Sequence, residues 1–165
     1  MKISKRLKFI EKLCDKCKVF LDVGTDHGYV PYLMLLHNKA YKVIASDIRE
    51  KPLNACKDNL SQFDQNKIDF RIGDGLSVIG FNEANGICIC GIGYDLLINI
   101  LKDIDLYNFD YMVLSPHTKI EKFKEFLKDK KRFFNEFNIE ESKKKYHIFK
   151  VRRSFLLYIK DKIIK

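Results

Sequence analysis

A chain of 165 residues is long enough for one domain with a buried core and short for two. Its 46% hydrophobic and 13% aromatic content excludes a disordered chain, and no apolar run reaches the roughly 18 residues of a membrane span. The formal net charge of +9 is unevenly placed: residues 1–117 carry 15 basic and 15 acidic side chains, whereas residues 118–165 carry 16 and 7.

A smaller basic patch lies in residues 2–18, with Lys2, Lys5, Arg6, Lys8, Lys12, Lys16 and Lys18 against Glu11 and Asp15. Such a surface attracts phosphate polymers, and on charge alone a solvated lysine-rich face weighs the same. The opening MKISKRLKFIEKL has no apolar signal core, so a cytoplasmic protein is expected. Five cysteines without a secretory signal argue against disulfides. Cys14 and Cys17 form a lone C-x-x-C better explained by helical spacing than by zinc, and no metal site is expected. Cys88 and Cys90, in GICICG, read as small apolar filler of a buried strand.

In chain order, Ser4 is placed to cap a helix with Leu7, Ile10 and Leu13 on its apolar side. VFLDV (19–23) suits a central parallel strand, and a helix is expected after Pro31. KVIASD (42–47) is a second apolar run closed by an acid, and Pro52 opens a helix with Leu53, Cys56, Leu60 and Phe63 on one face. KIDFRIG (67–73) alternates as a third strand. GICICG (86–91) is a fourth, followed by a helix over 94–103, and FDYMVLSP (109–116) is a fifth. Thr118 and Glu121 have capping-box spacing ahead of Ile120, Phe123 and Leu127. FFNEFNIEES and KYHIFKVRR read as an antiparallel hairpin. The order is thus a helix, five strand–helix units and a hairpin, which gives an α/β fold with helices on both faces of a mostly parallel sheet. The domain is expected over 1–153, with 154–165 a short basic C-terminal tail. That tail reads equally as an extension of the last strand, a short helix or a loose end.

In such a sheet, ligands bind beyond the carboxyl ends of the strands. Those ends read DVGTDHG, SD, GDG, CGIGY and SPH, all polar or glycine-rich. Gly24 and Gly28 let the backbone turn and leave room for a ligand. Asp22 and Asp26 disfavour a pyrophosphate and suit a ligand with an ammonium and a sulfonium, which favours S-adenosyl-L-methionine over NAD. Asp47 fits ribose hydroxyls in either case; Asp74 fits an adenine amino group in the methyltransferase arrangement. Capping of helices or turns is the plain alternative for Asp22 and Asp47.

SKRL, LDVGTDHGYVP, IASDI, RIGDGL, CGIG and KYHIF together resemble the TrmK family, bacterial methyltransferases that modify N1 of adenine 22 in tRNA. The resemblance runs from about Ser4 to Val151. It implies a class I methyltransferase, Rossmann-like, with a seven-stranded sheet ending in the antiparallel hairpin. It also implies S-adenosyl-L-methionine as cofactor, held by Asp22, Gly24, Gly28, Asp47, Ile48, Asp74, Gly75 and Gly91. Asp26, His27 and His117 are the expected catalytic positions facing the base; a turn residue bonded to backbone is the other reading of His27. Tyr29 and Tyr94 are placed either to stack on a ligand or to pack the core. The expected partner is tRNA, held by basic residues of 118–165 and 2–18, with no membrane; the oligomeric state is left open, a monomer being favoured.

Three departures accompany the resemblance. CGIGY stands where the family reads A-G-M-G-G, and Ser115-Pro116-His117 where it reads Q-P-N. The family's C-terminal helical extension has no counterpart before Lys165. A methyltransferase acting on another RNA site or a small molecule, or an inactive cofactor-binding relative, are therefore the competing expectations.

Overall fold

The computed structural model of the chain describes residues 2–163. Seven strands form one sheet: β1 (Cys17–Val23), β2 (Ala40–Asp47), β3 (Ile68–Ile72), β4 (Gly86–Ile92), β5 (Tyr111–Pro116), β6 (Phe133–Glu141) and β7 (Lys144–Arg152). Their spatial order is β3-β2-β1-β4-β5-β7-β6, and only β7 runs against its neighbours. This is the seven-stranded, mostly parallel architecture expected. Six helices accompany it: α1 (Lys5–Leu13), α2 (Tyr29–Leu36), α3 (Glu50–Leu60), α4 (Tyr94–Leu101), α5 (Ile120–Asp129) and α6 (Phe155–Ile163).

Consecutive strand residues face opposite sides, so the central strands feed two cores. Phe20, Val43, Cys88 and Val113 face α1, α2 and α3, where Ile10, Met34, Cys56 and Leu60 meet them. Leu21, Ile44, Ile87, Ile89 and Leu114 face the other side, against Leu97 and Leu101 of α4 and Phe123 and Leu127 of α5. Both faces of these strands are apolar because both are covered. Among the described residues no helix is long and apolar enough to cross a membrane.

Several local expectations shift. The helices after β1 and β2 begin before their prolines: Pro31 and Pro52 are each third in their helix. A proline is tolerated there because the first-turn N–H groups have no partner within the helix. The third unit lacks an α-helix; β3 is followed by a single 3₁₀ turn over Gly75–Val78. The Thr118–Glu121 capping box does not form. Lys119, with φ 52°, is the residue before α5, and the Thr118 hydroxyl instead accepts a hydrogen bond from the Tyr94 N–H at the start of α4, at 3.2 Å. The same spacing thus caps a neighbouring helix across the loop.

The hairpin closes through Ser142 and Lys143, both at positive φ (52° and 62°), as a tight two-residue turn requires. The tail after β7 is the helical one of the three alternatives. In α6, Phe155 and Tyr158 pack on Phe133 at ring distances of 5.1 and 5.7 Å.

Candidate active site

Strand order reverses between β1 and β4, and there a cleft of about 690 Å³ opens at the carboxyl ends of the strands. Residues after all five parallel strands β1–β5 line it, among them Asp22, Asp47, Asp74, Gly91 and His117. Positions spread over nearly a hundred residues of chain are thus brought to one place.

The β1 exit forms the floor. The Gly24 and Thr25 N–H groups both donate to the Ser46 carbonyl at 2.9 Å, tying the loop to the end of β2. Gly24 has φ +71° and open space where a side chain would project, so the cleft extends over its backbone. Gly91 has φ +86°, at a bulge between Cys90 and Ile92; a β-carbon there would lie 4.0 Å from His117 Nε2. The imidazole therefore sits across the end of β4, its own backbone N–H donating to the Ile92 carbonyl at 2.9 Å.

Asp22 is 6% exposed. Burial raises its carboxyl, hydrogen bonds from Thr25 and Cys88 oppose that, the Asp47 charge adds to it, and the net result is a pKa of about 7. Near neutral pH, Asp22 is poised between charged and neutral forms. Asp47 is equally buried; Oδ1 accepts from the Arg49 N–H at 3.0 Å and also faces the Arg49 guanidinium, with Nε at 3.7 Å. Asp74 and Gly75 line the cleft below β3, and Ile48 does so as a 64% exposed apolar side chain.

At the lip, Asp26 adopts φ +50°, a conformation that short polar side chains tolerate. His27 Nε2 lies 3.9 Å from Asp26 Oδ1, and its ring stacks on Tyr29 at 5.5 Å. Its carbonyl accepts from Asn59 Nδ2 at 2.9 Å, so His27 is both bonded through its backbone and placed on the cleft. Desolvation first, then the Arg6 and Lys144 charges, hold His117 below the ordinary histidine pKa.

Asp22, Gly24, Asp26, His27, Asp47, Ile48, Asp74, Gly75, Gly91 and His117 all line the cleft; Gly28 does not. Gly28 precedes α2 at φ +69°, and a β-carbon there would fall 2.3 Å from Cys56 Sγ. Glycine is needed at that position for the approach of α2 to α3. Tyr29 reaches the cleft, whereas Tyr94 packs in the α4 core beneath Lys119, whose Nζ is 5.4 Å from the ring centroid. Tyr94, standing in place of a glycine, therefore leaves the cleft open.

Two features went unread in the sequence. Cys88 and Cys90, which read as strand filler in the sequence, both line the cleft with their sulfurs 3.4 Å apart. The opposite wall comes from Ser4, Arg6 and Leu7 at the start of α1 and from Glu141 at the hairpin end. Glu141 Oε1 accepts from the Lys5 N–H at 2.7 Å and the Arg6 N–H at 3.4 Å. The SKRL motif and the basic N-terminal patch are the sequence signals for that wall.

A cleft with several carboxylates, glycine-lined approaches and an apolar half made by Val30, Leu96 and Ile100 suits a cationic nucleoside. Comparison with known proteins agrees. A family model described as "Methyltransferase domain" matches residues 3–149. The Bacillus subtilis tRNA (adenine(22)-N(1))-methyltransferase is 33% identical over 153 residues, covering 90% of this chain and 64% of that relative. The chain thus spans just under two thirds of this curated relative's length. The crystal structure of the B. subtilis M1A22 tRNA methyltransferase TrmK superposes with a TM-score of 0.84 at 30% identity, over 93% of this chain and 67% of that one. Streptococcus pneumoniae Sp1610 in complex with S-adenosyl-L-methionine gives 0.85 at 28% identity, over 92% and 73%.

Proposed function

The chain belongs to the methyltransferase-domain family and, within it, to the TrmK family, and on that premise we propose that it transfers a methyl group from S-adenosyl-L-methionine to N1 of an adenine in tRNA, at position 22 as its B. subtilis relative is named for. The observation that carries this reading is the convergence of Asp22, Asp47 and Asp74 on one cleft with an uncovered glycine, Gly24, beneath it. Carboxylates and open backbone match a cationic nucleoside and repel a diphosphate.

The residues present fit the cofactor. Asp47, with one oxygen not engaged by any described residue, would accept the ribose hydroxyls, and Asp74, with Ile48 and Gly75 beside it on the cleft wall, would hold the adenine end. Gly24 and Gly91 leave the methionine end room, and Asp22, once ionised, faces its charge. Bound there, S-adenosyl-L-methionine supplies an electrophilic methyl group on a sulfonium.

The target nitrogen carries an in-plane lone pair, so no residue has to remove a proton before transfer. The chain's task is alignment and exclusion of water. His117, Asp26 and His27 border the side of the cleft left for the base. Asp26 stabilises the cationic methylated adenine through its charge. His117, held neutral by its surroundings, accepts or donates a hydrogen bond at the base edge without adding positive charge. A base paired in a duplex has to leave its stack to reach this site.

The test is direct. The purified chain is incubated with methyl-labelled cofactor and unmodified tRNA, and the methyl is mapped by mass spectrometry. Label at N1 of adenine 22 supports the proposal. Label on another RNA position, or on no RNA while the cofactor still binds, replaces it with one of the competing readings.

A further inference from the structure

Arg6 stands at the rim of the cleft with donors unused. Its Nε and Nη1 are shielded from solvent and have no hydrogen-bond partner among the described residues. The guanidinium lies over the Tyr146 ring, 4.6 Å from its centroid. The Glu141 carboxylate beside it is occupied in holding the Lys5 and Arg6 backbone N–H groups. The arginine is therefore positioned by the hairpin and left unpaired. Desolvated donors without an acceptor cost free energy, which an incoming oxyanion relieves.

A second crevice, of about 300 Å³, adjoins this point. Pro116, His117, Lys144, Lys145, Tyr146 and His147 line it, and it shares His117 with the main cleft. The His117 ring meets Tyr146 edge-on at 6.1 Å. Much of the basic excess of the last third of the chain is neutralised internally. Lys119 pairs with Asp95, Lys124 with Glu136, Lys130 and Arg132 with Asp105, and Lys150 and Arg152 with Asp15 and Asp161. Arg6, Lys144 and Lys145 have no ion pair among the described residues, and Arg6 lines the cleft while Lys144 and Lys145 line the crevice beside it.

We propose that Arg6 and Lys144, grouped around Tyr146 and His117, form a subsite for a phosphodiester of the RNA strand beside the base that enters the cleft. The inference rests on the RNA-methylation reading and adds how the strand is gripped. A planar guanidinium matches a phosphate through two parallel donors on one of its edges, Nε with Nη2 or Nη1 with Nη2, once a rotation of the Arg6 side chain's last torsions turns such an edge to the cleft. The other oxyanion within reach is the cofactor's own carboxylate. The unpaired cations extend away from the acidic cofactor bay into the second crevice, which favours the phosphate.

Arg6→Ala, Arg6→Lys and Lys144→Ala are compared with the wild-type chain. Affinity for unmodified tRNA is measured without turnover across a salt series, and affinity for the cofactor by calorimetry. The expected result for each alanine variant is about tenfold weaker tRNA binding at low salt, a log–log salt slope smaller by about one, and cofactor affinity within about twofold of wild type. Arg6→Lys restores the slope but not the full affinity. The Arg6 Nε–Hε resonance also shifts when a short single-stranded RNA is added. Unchanged tRNA affinity and slope in both alanine variants, a loss confined to cofactor binding, or a wild-type chain that binds no RNA overturns the inference. If the wild type binds tRNA through Arg6 but methylates none of it, the reading of the function fails and the subsite stands.

Discussion

The Arg152 guanidinium and the Asp161 carboxylate are joined by two hydrogen bonds, Nε to Oδ2 and Nη2 to Oδ1, each 2.8 Å. They fasten α6 to β7, and Arg152 is only 5% exposed beneath the contact. Burial alone would raise the Asp161 pKa; the Arg152 hydrogen bonds and the Lys150 and Arg152 charges outweigh it and hold the carboxyl below its ordinary value. A carboxyl depressed in the folded state stabilises the fold above its ordinary pKa, and that contribution is lost as pH falls through the folded value. Asp161→Ala is therefore expected to cost about 2 kcal/mol at pH 7, since it leaves a buried guanidinium with Asp15 as its remaining counter-charge. Urea unfolding at pH 7 and at strongly acidic pH measures this. A cost that stays the same at both would mean that the pair does not hold the helix.

Asp22 has the opposite sign. Its carboxyl is raised to about 7 in the folded chain, so stability is greatest below the ordinary pKa of 3.8 and falls as pH rises towards 7. Ionising it at pH 8 costs on the order of 4 kcal/mol in the cofactor-free chain. Asp22→Asn is expected to remove that slope and to be the more stable protein at pH 8. Binding of a cationic cofactor draws Asp22 into its charged form, so the wild type's affinity should rise through pH 7 with release of a proton. Calorimetry in buffers of different ionisation enthalpy detects the proton; its absence in the wild type would remove Asp22 from the cofactor's charge environment.

Asp47→Ala is expected to weaken cofactor binding ten- to a hundredfold, about 1.4–2.8 kcal/mol, by removing an acceptor of two hydroxyl hydrogen bonds. The fold should persist, because the one protein hydrogen bond lost is that from the Arg49 N–H. Calorimetric affinity beside a thermal melt separates the two effects. Wild-type affinity in the variant would place the ribose elsewhere.

The two glycines of the first loop should respond differently. Gly28→Ala sets a β-carbon 2.3 Å from Cys56 Sγ at φ +69° and should cost about 3 kcal/mol. Adding Cys56→Ala makes room for the new methyl and should recover about 1 kcal/mol, a coupling that a double-mutant cycle reads. Gly24→Ala meets only its own backbone strain, about 1 kcal/mol, but should impair cofactor binding. Equal stability losses without coupling to Cys56 would contradict the packing role of Gly28.

Much of this protein is legible in one dimension. Apolar runs such as VFLDV and KVIASD, each closed by an acid, announce buried parallel strands, because a strand covered on both faces is apolar along its length and turns polar only where it leaves the sheet. The strand ends therefore point to Asp22, Asp47, Asp74 and His117, which the fold brings to one cleft. Other features depend on neighbours distant along the chain. Thr118 has the spacing to cap its own helix, yet it caps α4, because the β4 and β5 exits lie side by side. Gly28 looks like a ligand glycine until Cys56, 28 residues later, arrives against it. Arg6 is one cation among many until the hairpin brings Tyr146 beneath it and Glu141 to its backbone. Local pattern carries hydrophobic period and charge, which fix elements and their ends; which ends meet, and which charges stay unpaired, is decided only when the sheet closes on its strand order.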